Sequence, residues 1–165
     1  MNIPNPYSSL FADFAAWAQG RLGEEAKVSI KQDGEELTLA IEPNSLEHCS
    51  FIAIARKAMV VCYGKHFTVS FEEPLYDEKW SAFFTENDTF DGLVRLLLPA
   101  IGGDIRVENC LNKQGKVLLT EFVLMSEGKR YSRKTYKSWL ALFQKIDTKQ
   151  IRKFEPYPSA ARFIV

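Results

Sequence analysis

The chain has 165 residues, of which 46% are hydrophobic and 25% charged, a composition typical of a globular domain rather than of a disordered segment. Its formal charge is zero, but the charge is sorted along the chain, because residues 1–103 carry −7 and residues 104–165 carry +7. No apolar run is long enough to cross a bilayer, which excludes a membrane-spanning helix.

The first half of the chain predicts a helix followed by paired strands. Apolar residues recur at three- and four-residue spacing in residues 10–18, which predicts a helix, and Ser8 or Ser9 can cap its N-terminus. A hairpin follows, with Asp33 and Gly34 at its turn. Residues 49–62 are apolar at nearly every position, which indicates two strands in the centre of a sheet. Residues 67–71 alternate between apolar and polar and predict another strand.

The second half predicts short helices around another hairpin. Residues 77–84 have the spacing of a short amphipathic helix, and a further helix is expected from residue 88 or 89 to residue 98. A hairpin turns at residues 112–115. Thr135 is expected to cap a last helix that carries Trp139 and Phe143. The tail beyond it is weakly patterned, with at most a final irregular strand.

The order of these elements predicts the fold class. Helices and adjacent antiparallel strands, without regular strand–helix alternation, favour an α+β fold. We expect a single antiparallel sheet built from hairpins, with helices packed against it. One domain over residues 1–165 accommodates all of these elements.

The cysteines and the N-terminal residues bear on the cellular compartment. Cys49, Cys62 and Cys110 form an odd set without paired spacing, as expected for reduced thiols in the cytosol. The first six residues lack the basic start and the apolar stretch of a secretion signal. We therefore expect a cytoplasmic protein with three reduced thiols, most of them buried.

The two histidines lie close in sequence to two of the cysteines. His48 precedes Cys49, and His66 lies four residues after Cys62. If residues 49–67 form a hairpin, the two imidazoles face each other at its open end, where they and a thiolate suit zinc. The same set could supply a nucleophile and its base. The close ligand spacing of structural zinc sites is missing, so we expect structural histidines, no metal and no cofactor. A small Cys/His or metal-dependent enzyme is the alternative function class.

The separation of charge has two interpretations. If the acidic and basic regions face each other in the fold, their charges cancel. If they lie on different surfaces, each can steer a partner of opposite charge.

Acidic side chains are concentrated in residues 72–91, where large aromatic side chains are interleaved with them. Converging carboxylates can hold magnesium or perform acid–base hydrolysis, but the loop positions around Pro74 and Asn87 favour a solvated acidic edge. Aromatic anchors inside a charged rim are typical of protein interfaces. We therefore expect this edge to bind a basic protein. The residues predicted to contact the partner are Glu72, Glu73, Asp77, Glu78, Trp80, Glu86, Asp88 and Asp91.

A basic counterpart lies at residues 129–137, where five Lys and Arg side chains are interleaved with two tyrosines. Basic and aromatic side chains together can hold single-stranded nucleic acid by phosphate contacts and base stacking. The neutral total charge and the pI of about 6.7 lack the basic footprint of most such proteins. A nucleic-acid-binding module is therefore the third hypothesis, and the basic residues are otherwise a solubilising strand end.

Residues 60–71, with the sequence VVCYGKHFTVSF, resemble a segment of a known group of proteins. Similar strand–Tyr-Gly-x-His–strand segments, followed by a short helix that bears a tryptophan, occur in small proteins found beside bacterial polymorphic toxins. These include the immunity proteins of contact-dependent growth inhibition. Such proteins share no catalytic residues, and the resemblance implies that the chain blocks a toxin domain by direct binding. We therefore expect a non-catalytic cytoplasmic immunity protein whose partner is a basic toxin domain, with no role at a membrane.

Overall fold

The computed structural model describes residues 5–56, 59–64, 67–70 and 90–164. Within these ranges the helices are α1 (Ser8–Leu22) and α2 (Phe90–Ile101). The strands are β1 (Ala26–Asp33), β2 (Glu36–Pro43), β3 (Phe51–Ala55), β4 (Met59–Tyr63), β5 (Phe67–Ser70), β6 (Ile105–Leu111), β7 (Val117–Ser126), β8 (Lys129–Tyr136) and β9 (Thr148–Lys153). Short 3₁₀ helices span Trp139–Phe143 and Ala160–Phe163. None of the described helices is both long and apolar enough to span a membrane.

The strands form two antiparallel sheets. The first has the order β1-β2-β3-β4-β5, so each strand pairs with the next along the chain. The second has the order β8-β7-β6-β9, in which β9 returns to pair with β6. The predicted α+β class is confirmed, but the prediction of a single sheet is wrong. Strand β6 is paired on one side by β7 and on the other by β9, so it has no edge left with which to extend the first sheet.

Both sheets and both helices contribute to one main core. Alternate residues of β2, β3 and β4 are buried, as the alternation of apolar side chains on one face of a sheet requires. Helix α1 adds Phe11 and Phe14, and helix α2 adds Leu93 and Leu97, all fully or almost fully buried. The core residues of the second sheet include Ile105, Val107, Phe122 and Leu124.

Two buried tyrosines tie the layers together. The hydroxyl of Tyr63 on β4 donates to the carbonyl of Leu96 on α2 at 2.7 Å, and its ring lies 6.4 Å from that of Phe122 on β7. The hydroxyl of Tyr157 donates to the carbonyl of Cys49 at 2.9 Å. Burial raises the pKa of both phenols, so they remain neutral donors at physiological pH.

The first half of the chain matches its predicted elements where it is described. Helix α1 begins at Ser8 with Tyr7 as its N-cap residue, so the serines lie inside the first turn instead of capping it. The hairpin of β1 and β2 turns after Asp33, as predicted, and Gly34 has a φ of +59°. Strands β3, β4 and β5 follow in the predicted order. The helix predicted over residues 77–84 lies outside the described residues.

The predicted helix that begins at Thr135 is wrong. Strand β8 continues through Thr135 to Tyr136, in register with β7. The amides of Lys137 and Asp147 then donate to carbonyls of β7 and β6 at 3.0 and 2.8 Å. Both ends of this connection are hydrogen-bonded to the second sheet. The few residues between them form only the short 3₁₀ helix Trp139–Phe143 instead of the predicted α-helix.

Candidate partner-binding surface

The second sheet has one face toward the core and another that we call the outer face. Ile105 stands opposite Leu124 and Val107 opposite Phe122, and all four belong to the core. The alternate residues point the other way. The outer face consists of Arg106, Glu108 and Cys110 of β6, Leu119, Glu121, Val123 and Met125 of β7, Arg130, Ser132, Lys134 and Tyr136 of β8, and Lys149, Ile151 and Lys153 of β9.

Two carboxylates occupy the centre of the outer face. Glu108 and Glu121 stand directly opposite each other on β6 and β7 and are only 4% and 6% exposed. Like charges at such a position repel each other, so they need compensation. Glu108 forms ion pairs with Arg106 at 2.8 Å and Lys149 at 3.5 Å, and Glu121 forms one with Arg130 at 3.1 Å. The centre of the outer face is therefore a compensated ion cluster rather than an open acidic site.

The 3₁₀ helix Trp139–Phe143 covers one end of the outer face. Its middle residue, Ala141, is buried in a small cluster with Cys110, Leu118 and Leu119. The amide of Ala141 donates to the carbonyl of Ser138 at 3.1 Å. The helix is therefore held on the sheet through its smallest side chain, which leaves its larger side chains pointing away.

Those larger side chains are unusually exposed. Trp139 is 71% exposed and Phe143 78%, and their rings meet edge to face with centroids 6.2 Å apart. Every residue of the stretch 133–153 is exposed except Ala141, and we call this stretch the apolar–basic segment. It holds seven of the eleven exposed large hydrophobic side chains found among the described residues. They are Tyr136, Trp139, Leu140, Leu142, Phe143, Ile146 and Ile151. Exposed apolar side chains concentrated in this way mark an interaction surface.

The same segment is strongly basic. It contains seven Lys and Arg residues and a single acidic one, Asp147. The two edge strands of the second sheet, β8 and β9, carry four and three basic residues and no acidic ones. Lysine on an edge strand also discourages pairing with other chains, which gives part of this charge a structural cause. The result is an apolar surface with a basic rim.

The predicted acidic edge lies almost entirely outside the described residues. Asp91 is described, and it is exposed in the first turn of α2, where a carboxylate suits the positive end of the helix dipole. The other predicted contact residues, which the structure does not describe, are Glu72, Glu73, Asp77, Glu78, Trp80, Glu86 and Asp88. The acidic edge therefore stays a prediction.

His48 has a structural environment. Its Nδ1 lies 3.1 Å from the carbonyl oxygen of Glu155, and its ring stacks on Tyr157 with centroids 4.7 Å apart. Because a carbonyl oxygen can only accept, Nδ1 carries the proton in this contact. His66, the second predicted donor, lies outside the described residues. Among the residues that are described, no three His, Cys, Asp or Glu side chains are grouped so that they could hold a metal ion.

The three cysteines are free thiols with different exposures. Cys49 and Cys110 are buried, and Cys62 is partly exposed on β4. Burial raises the pKa of Cys49 from 9.0 to about 12, against a smaller lowering effect of Arg152. A thiol with this pKa is protonated at neutral pH and is a poor nucleophile. The Cys49–His48 neighbours therefore do not form an activated pair.

A cavity of about 450 Å³ adjoins His48 at the junction of the two sheets. Arg152 of β9 lines it, donates to the carbonyl of Leu46 at 3.1 Å and lies over the ring of Phe154 at 5.0 Å. Glu42 and Ile52 line the side of the first sheet. The guanidinium of Arg152 thus links β9 to the loop before β3, and its contacts at the cavity connect the two sheets.

The outer face could not be recognised from the sequence pattern alone. Trp139, Leu140, Leu142 and Phe143 have a spacing typical of an amphipathic helix that buries its apolar stripe. One feature of the sequence does indicate the exposed surface. Large apolar residues stand on both sides of Ala141 and basic residues flank them, and a narrow buried stripe of a helix would not contain all of these apolar side chains.

Comparisons with protein-family models, with curated proteins and with solved structures found no match to this chain.

Proposed function

We propose that this chain is a non-catalytic binding protein that acts through the outer face and the apolar–basic segment. Its role would be that of a cytoplasmic immunity protein, which neutralises a toxin domain by direct binding. The observation that carries the binding function is the exposure of seven large apolar side chains within one segment, which packs on the second sheet through Ala141. The resemblance of residues 60–71 to immunity proteins supports the specific role.

The energetics of the surface favour binding. Complete burial of a large apolar side chain stabilises a complex by about 1.5–3 kcal/mol, and aromatic residues dominate the binding energy of protein interfaces. Trp139 and Phe143 supply two such anchors side by side. Backbone hydrogen bonds to β6 and β7 hold both ends of their connection, so less conformational freedom is lost when a partner binds.

The rival hypothesis, a small Cys/His enzyme, has less support from the described residues. The thiol of Cys49 is protonated at neutral pH, and Nδ1 of His48 is used by a backbone carbonyl. A binding function needs none of these groups.

Co-expression in a bacterial host tests the proposal. The protein domain encoded directly upstream of this gene is induced with and without the chain, and growth is followed. We expect the domain to arrest growth, the chain to restore growth, and the two to co-elute as a complex. A double variant, Trp139→Ala with Phe143→Ala, should lose protection while it stays folded. Ile164→Ala is the control, because it removes an equally exposed apolar side chain, 81% exposed, elsewhere. Failure of the wild-type chain to restore growth would contradict the immunity role.

A further inference from the structure

The basic side chains of the apolar–basic segment indicate the charge of the partner that it binds. Between described residues, the ion pairs of the second sheet use Arg106, Arg130 and Lys149. Lys134, Lys137 and Lys145 are exposed and have no carboxylate within ion-pair distance among the described residues. Lys137 and Lys145 flank the exposed aromatic side chains in the sequence, and Lys134 stands opposite Glu121, which pairs with Arg130.

We propose that the apolar–basic segment, which includes the exposed outer-face residues Lys134, Tyr136 and Ile151, binds an acidic protein surface, an inference that rests on the proposed binding function. The partner presents an apolar pocket that receives Trp139 and Phe143. Asp and Glu carboxylates around that pocket meet Lys134, Lys137 and Lys145. Complementary charge of this kind determines which partners are accepted and how fast they associate.

An acidic partner differs from the basic partner predicted from residues 72–91. Apart from Asp91, that prediction depends on acidic side chains outside the described residues. The apolar–basic segment carries the opposite charge. Arg133 and Arg152 stand opposite core residues and so lie on the other side of the sheet, which leaves five basic residues against the single acidic residue Asp147. Rim charges of like sign cost free energy on binding, so a basic partner is disfavoured at this surface.

The composition of the surface favours a protein over single-stranded nucleic acid. Nucleic-acid bases stack on aromatic side chains, whereas four of the seven exposed apolar residues are aliphatic. The aliphatic residues are Leu140, Leu142, Ile146 and Ile151. Aliphatic side chains offer a base no ring on which to stack, whereas they fit an apolar pocket of a protein.

The distribution of the apolar residues favours a protein over a membrane surface. Segments that insert into a membrane interface concentrate their apolar side chains on one side of a helix. Here Tyr136 belongs to β8, Ile151 to β9, and Trp139 and Phe143 to the 3₁₀ helix between them. An apolar area that extends across three elements of a sheet face has the broad form of a protein interface.

Selection of peptides on the full-length chain tests the partner's chemistry without a known partner. A random peptide library is displayed on phage and panned against the wild-type chain, and the enriched peptides are synthesised. We expect peptides that combine Asp or Glu with aromatic or aliphatic residues. Trp139→Ala should weaken their binding at least about ten-fold, as loss of a central aromatic anchor does. The double variant Lys134→Glu with Lys137→Glu should slow their association about ten-fold at low salt.

Matched controls and competing probes make the outcome decisive. Lys27→Glu with Lys31→Glu changes the same charge on β1, in the other sheet, and should leave association within about two-fold of wild type. Neutral or basic peptides that still require Trp139 would overturn the acidic partner but leave the binding function standing. No enriched peptide, or binding that does not require Trp139, would overturn both. If the chain binds oligothymidylate or phosphatidylserine vesicles more tightly than the selected peptides, the inference is overturned in favour of nucleic acid or a membrane.

Discussion

At the scale of single residues, Ala141 determines which side chains the 3₁₀ helix exposes. It is 6% exposed and packs with Cys110 and Leu119 on the outer face. A small side chain allows the backbone to approach the sheet closely, and the larger neighbours cannot enter the same space. The display of Trp139 and Phe143 is therefore a consequence of how Ala141 packs.

Replacement of Ala141 tests this anchoring directly. Ala141→Glu would bury a carboxylate without a partner, and we expect a loss of about 1–3 kcal/mol in the free energy of unfolding. Partner binding should weaken too, although Trp139 remains. Ala161→Glu makes the same change at an exposed position of the other 3₁₀ helix and serves as the control. Urea denaturation measures both, and equal stability of the two variants would show that Ala141 is not the anchor.

Buried thiol and phenol groups predict a loss of stability at alkaline pH. The pKa of Cys49 is about 12 in the folded protein against 9.0 ordinarily, because burial disfavours the thiolate. Between these values the unfolded state binds fewer protons than the folded state, so the free energy of unfolding falls as pH rises. This contribution is fully present below about pH 9 and is lost toward pH 12. The raised pKa of Tyr157 acts in the same direction.

Urea denaturation at increasing pH checks this expectation. Cys49→Ala should flatten the decline of stability above pH 9 relative to the wild type. A slope that is the same in both proteins would mean that the Cys49 thiol does not control the alkaline transition.

At the scale of elements, local signals account for the hairpins and long-range pairing accounts for the rest. Asp33 with Gly34, and Gly115 in the β6–β7 turn, are residue types that such turns require, so the sequence predicts these hairpins correctly. Strand β9 has six exposed residues and no apolar alternation. It becomes a strand because it pairs with β6, and sequence periodicity cannot show a partner that lies 37 to 47 residues away.

The same limit applies to the candidate surface. The α+β class followed from the order of the elements, but the number of sheets depends on which edges of β6 are occupied. Similarly, the helical spacing around Trp139 is genuine, and continuation of β8 to Tyr136 overrides it. The sequence identifies residues 129–137 as a basic stretch. That the neighbouring apolar side chains are exposed follows only from the packing of Ala141 on the sheet.

The turn between α2 and β6 supplies a test of how tightly the elements are joined. Gly103 has a φ of +71°, and an added Cβ would lie 2.7 Å from the nitrogen of Pro156 and 2.9 Å from the carbonyl oxygen of Phe154. Gly115 has a similar φ of +75° with no atom within 4 Å. Gly115→Ala should cost about 1–2 kcal/mol from the left-handed backbone alone.

Gly103→Ala carries the same backbone strain and adds the steric overlap. We expect a further loss of about 1–3 kcal/mol in the free energy of unfolding relative to Gly115→Ala. Thermal or urea denaturation of the two variants measures the difference. Equal losses would contradict the close approach of the C-terminal residues to this turn.

At the scale of the whole molecule, ion pairs between described residues scarcely connect the acidic region, residues 1–103, with the basic region, residues 104–165. The one ion pair between described residues that joins the two charge regions is formed by Arg95 and Glu127, which are the minority charges of their regions. Among the described residues, no acidic side chain of the first 103 positions neutralises a basic side chain of the second sheet. The described part of the fold thus favours steering of a partner over internal cancellation.

The most direct test of the proposed surface is amide hydrogen exchange of the full-length chain, free and bound to an acidic peptide selected on it. The account predicts slower exchange on binding at residues 133–153, with β1 and α1 unchanged, because only the outer face and its 3₁₀ helix contact the ligand. The Trp139→Ala variant should show no such slowing at the same peptide concentration. Slowing confined to residues 72–91 or to the first sheet, with residues 133–153 unaffected, would contradict the account.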